Sequence, residues 1–172
     1  MITYIDNLRL KNRLNDLQET SNIISWQDVS TDLVLSMVGQ SIGEGCYRNV
    51  YEYNLDPKYV IKIETEGTNG NISEYMLWDE IRGLKGDLEW VKDYFAPIKW
   101  VSPNGRLLVM ERTFEKPEKE RPKEVPKFFM DCKRNNWGWL KNGKFVCHDY
   151  QFLHGFIKYE KKFKTIPKDA WW

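Results

Sequence analysis

Ile42-Gly43-Glu44-Gly45-Cys46-Tyr47 sets two glycines one residue apart between two stretches with strand character. Backbone N–H groups in such a turn can approach phosphate oxygens closely because no Cβ intervenes, although an ordinary tight hairpin has the same look. Lys62 follows as a lone cation in the apolar run Val60-Ile61-Lys62-Ile63, where it either snorkels from an edge or points at an anion. Glu74 is a natural ion-pair partner to hold it extended; Glu80 is the alternative, and a plain exposed helix position is the bland one. Asp149 stands between the apolar end of Lys144-Phe145-Val146-Cys147-His148 and Tyr150, where a lone carboxylate needs an ionic partner or a metal. Asp131, Lys133 and Asn136 cluster in Met130-Asp131-Cys132-Lys133-Arg134-Asn135-Asn136, a grouping that on its own also describes a solvated charged turn. His148 and His154 have no ligand-forming neighbours and read as surface or capped histidines. Cys132 has no base partner, so packing is expected of it rather than nucleophilic catalysis.

Short elements must position these groups. Met37 to Gly45 reads as a strand running into the glycine turn, and Asn49 to Leu55 alternates as a second strand. Asp56-Pro57-Lys58 is a turn, and Tyr59 to Thr65 is a third, β-branched strand. Ser73 heads a helix through Leu84, with Met76, Leu77, Ile81 and Leu84 at helical spacing. Pro103-Asn104-Gly105 and Lys141-Asn142-Gly143 each separate two apolar runs and mark hairpins. Leu8, Leu10, Leu14 and Leu17 suggest an N-terminal helical arm, with turn and cap positions at 25–32. The stretch 115–127 (EKPEKERPKEVPK) has three prolines among charges and reads as a stiff linker. The expected organisation is an arm at 1–36, a β-rich lobe with one main helix at 37–114, the linker at 115–127 and a small second lobe at 128–172.

Composition narrows the function classes. In 172 residues, 41% apolar and 15% aromatic side chains are enough to offset the entropy of ordering a backbone. A net charge of +1 provides no global field for nucleic acid or an anionic membrane. No apolar run approaches the roughly 20 residues that span a bilayer, and the polar start does not read as a signal peptide. Cys46, Cys132 and Cys147 match no metal-knuckle spacing and suit reduced thiols in a cytoplasmic protein. Phe152, Phe156, Tyr159, Phe163, Trp171 and Trp172 are interleaved with lysines near the C-terminus. That tail either folds back over the second lobe or docks a partner or a second copy of the chain.

A strand, glycine loop and strand followed by a strand lysine and a helix glutamate resemble the nucleotide-clamping half of a protein kinase. The order Asp131, Lys133, Asn136 and then, across a hairpin, Asp149 continues that resemblance over roughly 37–151, and the chain is similar to the protein-kinase-like superfamily. Asn136-Trp137-Gly138 and His148-Asp149-Tyr150 look most like the small, divergent kinase-like proteins of phages and bacteria. The resemblance implies an α+β fold: an antiparallel sheet with one main helix, plus a truncated C-terminal lobe carrying a β-hairpin catalytic and metal loop. It implies that Gly43, Gly45 and Val50 cover the ATP phosphates, and that Lys62, held by Glu74, contacts them. Met110, Glu111 and Arg112 would form the hinge that meets adenine, with Met110 as gatekeeper. Asn136 and Asp149 would hold Mg2+, Asp131 would accept the proton of the attacking hydroxyl, and Lys133 would neutralise the transferring group.

Departures from the family pattern are also legible. Phe129-Met130 replaces the common His-Arg before Asp131, and Gln151 replaces the usual glycine after Asp149-Tyr150. Only 20 positions separate Glu111 from Asp131, and 23 residues follow Asp149, with no Ala-Pro-Glu motif. The sequence therefore sets an ATP- and Mg2+-dependent minimal kinase acting on a protein Ser/Thr or Tyr hydroxyl against a pseudokinase that binds and occludes a partner. A small-molecule phosphotransferase is disfavoured, because its acceptor pocket needs C-terminal helices. The expected compartment is cytoplasmic, the host cytoplasm for a phage-encoded chain.

Overall fold

The computed structural model describes residues 26–65, 67–116, 118–153, 157 and 159–166. The leucine-spaced arm at 5–21 and, in the tail, His154, Phe156, Trp171 and Trp172 lie outside the described residues. The chain divides into two compact units, 1–39 and 40–172. No helix among the described residues is long and apolar enough to cross a membrane.

In the first unit, α1 (Trp26–Met37) occupies positions that the sequence marked as turns and caps. Ser36 Oγ donates to the Leu33 carbonyl at 2.7 Å, so its hydroxyl is satisfied within the helix.

The second unit is built on a five-stranded sheet in the order β1-β2-β3-β5-β4. Its strands are β1 (Val38–Glu44, beginning at the unit boundary), β2 (Arg48–Tyr53), β3 (Tyr59–Glu64), β4 (Ile98–Val101) and β5 (Leu107–Glu111). The pairs β2–β3, β3–β5 and β4–β5 are antiparallel. Register sets Arg48 opposite Glu64, Val50 opposite Lys62, and Lys62 opposite Leu108. Because side chains alternate along a strand, Arg48, Val50, Val60, Lys62 and Met110 share one face.

The helix α2 (Gly70–Arg82) begins three residues before the expected Ser73. Its first N–H groups need acceptors, and β3 supplies them: Gly70 and Asn71 donate to the Glu64 carboxylate at 3.2 and 3.3 Å. Glu74, Leu77 and Ile81 are buried at helical spacing along one face. Asn71 Nδ2 donates to the Gly105 carbonyl at 2.9 Å and fastens the β4–β5 turn to the helix. Gly105 is required there, since its φ is +72° and a Cβ would lie 2.6 Å from Ile72.

The C-terminal half is held by aromatic rings. The hairpin β7–β8 (Trp137–Trp139 and Phe145–Cys147) turns at the expected Lys141-Asn142-Gly143. Phe129 lies 4.6 Å from Trp137 and 5.0 Å from Phe95 between ring centroids, and Phe95 meets Tyr150 edge-on at 5.0 Å. Ala96 N–H donates to the Cys147 carbonyl at 2.8 Å, joining this hairpin to the sheet side. The segment 115–127 is not linker throughout. Its end forms β6 (Glu124–Pro126), antiparallel to β9 (Phe163–Thr165), with Val125 and Pro126 buried. The surrounding prolines and charges mask that short strand in the sequence, and its partner lies far along the chain. The described part of the tail folds back through this pairing, with Ile166 buried and Tyr159 Oη donating to Glu80 at 2.5 Å.

Candidate functional site

One cleft of about 900 Å³ lies along the shared face of the sheet and the segments after β6. Gly43, Gly45, Val50, Lys62, Met110, Glu111, Asp131, Lys133, Asn136 and Asp149 all line it. Glu74 sits behind its wall, fully buried. Arg112 does not line the cleft, contrary to the expectation for the hinge. Its N–H donates to the Lys58 carbonyl at 2.8 Å, and its guanidinium reaches Glu52 at 2.8 Å. Glu111 keeps a place in the wall, although its N–H is taken by the Pro97 carbonyl at 2.8 Å and its carboxylate faces Lys58 at 3.5 Å. Thr113 and Phe114, which the sequence did not single out, continue that wall.

An ionic cluster forms the floor. Lys62 Nζ lies 2.9 Å from Glu74 Oε2, so the pair expected across β3 and α2 is made. The same ammonium donates to the His148 carbonyl at 2.5 Å, and Tyr150 N–H donates to Glu74 Oε1 at 2.8 Å. Arg48 also joins the cluster. Its Nη1 and Nη2 donate to Glu74 Oε2 and Oε1 at 2.7 and 3.3 Å, and Nη2 donates to Asp149 Oδ1 at 2.5 Å. Burial alone would push the Glu74 carboxyl up, but Arg48 and Lys62 beside it hold it down at about 2. Burial lowers Lys62 despite Glu74, whereas for Arg48 the burial penalty is outweighed by Glu74 and Asp149 and its value rises. Sequence reasoning missed Arg48, although one signal was available: it lies two residues before Val50, hence on the face that Lys62 shares.

The Asp131 segment is a solvent-facing turn. Asp131 Oδ1 accepts the Lys133 N–H at 3.2 Å, and its Oδ2 lies 3.4 Å from Lys133 Nζ. Asn136 ends the 3-10 turn Arg134–Asn136 and accepts the His148 N–H on its carbonyl at 2.8 Å. Of the two readings of His148, surface or capped, the structure has the capped one, with both ring nitrogens engaged. Its Nε2 lies 2.7 Å from the Asn135 carbonyl, which can only accept, so Nε2 carries the proton and Nδ1 accepts from Thr113 Oγ1 at 2.8 Å. Burial, with Lys62 nearby, lowers the imidazole to about 4. Cys147 is buried and its thiol is raised well above the ordinary range by that burial; Cys132 is raised for the same reason, and neither suits nucleophilic work.

Asp149 and Asn136 carry hard oxygen donors, and Mg2+ needs few of them from a protein, since phosphate oxygens and water complete its octahedron. Among the described residues no group of three His, Cys, Asp or Glu side chains gathers around a common point. The donor set therefore fits a metal that arrives with phosphate and does not fit a self-sufficient metal cage. Compared with known proteins, the chain matches no family model and no curated protein.

Proposed function

We propose that this protein is a minimal kinase-like phosphotransferase that moves the γ-phosphoryl group of ATP to a protein hydroxyl. The observation that carries this reading is the convergence on one cleft of the glycine turn, the Lys62–Glu74 pair, Asp131, Lys133, Asn136 and Asp149. In-line phosphoryl transfer asks a protein mainly for positioning and charge neutralisation, and each of these groups has a part in that. The turn from Gly43 to Tyr47 covers the phosphates with backbone N–H groups. Lys62 meets them from the floor, and Asn136 and Asp149 hold the metal. Mg2+ bound there supplies charge neutralisation across the phosphate oxygens. Asp131 orients the attacking hydroxyl and takes its proton as the new O–P bond forms and the bond to the ADP oxygen breaks. Lys133 neutralises charge on the group in flight.

A second reading, a pseudokinase that binds and occludes a partner protein, is favoured by the closure of the floor upon itself. Lys62 is only 4% exposed and gives its hydrogens to Glu74 and His148, while Asp149 is tied to Arg48.

Two measurements decide. ATP with Mg2+ is expected to raise the melting temperature by mass action, and Lys62→Ala or Asp149→Ala to remove most of the shift. An unchanged shift in both variants would defeat the nucleotide-site assignment. With labelled ATP and a cell lysate, label on a protein that disappears with Asp131→Ala supports the enzyme. Capture of a partner without label supports the pseudokinase.

A further inference from the structure

Arg48 is the first residue of β2 and is 7% exposed, yet its guanidinium serves two carboxylates of unequal burial. Glu74 is fully buried and receives both terminal nitrogens; Asp149 is 40% exposed and receives only Nη2, on a single oxygen. Nη1 also lies 3.5 Å from Asn71 Oδ1, a further contact on the Glu74 side. The arm toward Glu74 is anchored in the wall, and the arm toward Asp149 reaches into the cleft.

Within the ion pairs themselves the charges cancel, while Glu64, opposite Arg48 in the register, adds a further carboxylate that acts on the guanidinium. Arg48 and Lys62 face Glu74 and Asp149, two cations against two carboxylates. A divalent cation arriving at Asp149 therefore finds its ligand holding a protein cation, and a guanidinium beside a metal ion is repelled strongly at such range. No group of three acidic, His or Cys side chains among the described residues offers an alternative set of ligands. Releasing Nη2 from Asp149 leaves the forked contact with Glu74 intact, so the exchange can be local.

We infer that Arg48 is a built-in counter-cation of Asp149, a latch that a divalent metal must displace before it can occupy the cleft. The inference rests on the proposed role of Asp149 as a metal ligand and adds to it a control on metal loading. Metal affinity in the resting protein is set low by competition, and it rises when the latch is removed.

The test is titration of Mn2+ alone into the full-length protein, following free Mn2+ by its paramagnetic resonance signal. Arg48→Lys keeps the charge but loses the planar fork that spans both carboxylates, and Arg48→Met removes both. Both variants are expected to bind Mn2+ roughly two- to fivefold more tightly than the parent, the scale of breaking one part-exposed ion pair. Adding Asp149→Asn should abolish the gain in either background. Weaker or unchanged binding in Arg48→Lys overturns the latch, the first because Arg48 then braces Asp149 for the metal, the second because losing the guanidinium contact with Asp149 then frees no ligand. Absence of Mn2+ binding in every variant overturns it too. Should Arg48→Met fail to fold, Arg48→Lys carries the decision, since a cation remains beside Glu74. Failure of the nucleotide reading is separable: ATP would then leave the parent's melting temperature unmoved, whatever the Mn2+ comparison returns.

Discussion

Held between Thr113 and the Asn135 carbonyl, His148 is kept in one neutral tautomer, and this has a measurable pH signature. Its folded value of about 4 lies below the ordinary 6.5, so between those limits the unfolded chain binds a proton that the native protein refuses. The stability it contributes is complete above pH 6.5 and drains away as pH falls toward 4. Glu74, at about 2 against an ordinary 4.5, adds a second loss between those two values. Denaturant midpoints measured from pH 7 to 4 are therefore expected to fall in the parent and to fall distinctly less in His148→Gln over the upper window. Parallel curves for the two proteins would contradict the assignment. At this scale the Lys62–Glu74 pair was legible, because a lysine isolated in a β-branched run advertises a need for an anion. Arg48 was not, because it stands beside polar neighbours and its partners become visible only with the strand register.

Elements that depend on local signals followed the sequence closely. Pro103-Asn104-Gly105 and Lys141-Asn142-Gly143 both turn hairpins, since turn chemistry is decided within a few residues. Elements that depend on distant partners did not. The start of α2 is set by Glu64 at the end of β3, and β6 exists because β9 pairs with it. The Asp131 turn rests on rings rather than helices, and this too is testable. Phe129, 1% exposed, touches Phe95, Phe128 and Trp137, so Phe129→Ala is expected to cost about 3–5 kcal/mol by denaturant unfolding. Phe152, 74% exposed on the rim of the same cleft, should tolerate Phe152→Ala within about 0.5 kcal/mol in the same assay. Similar losses in the two would mean that the rings do not support the turn.

For the whole molecule, composition was enough to indicate an ordered chain, the element pattern and the resemblance indicated an α+β one, and the sheet with few helices agrees with that expectation. Composition and charge carried no information about how residues far apart in sequence meet. That separation is a property of the ionic cluster in its own right. Arg48 and Asp149 are 101 positions apart, Lys62 and His148 are 86 apart, and Glu74 and Tyr150 are 76 apart. Contacts of such long range are expensive in loop-closure entropy and form late. During synthesis the sheet and α2 leave the ribosome well before residues 148–150 do. Glu74 must then wait, facing Arg48 and Lys62 but without Tyr150 N–H above it. The cleft floor is thus completed only after the sheet and α2 are made, and a chain stalled before Asp149 carries Arg48, Lys62 and Glu74 without the carboxylate and the Tyr150 N–H that close them.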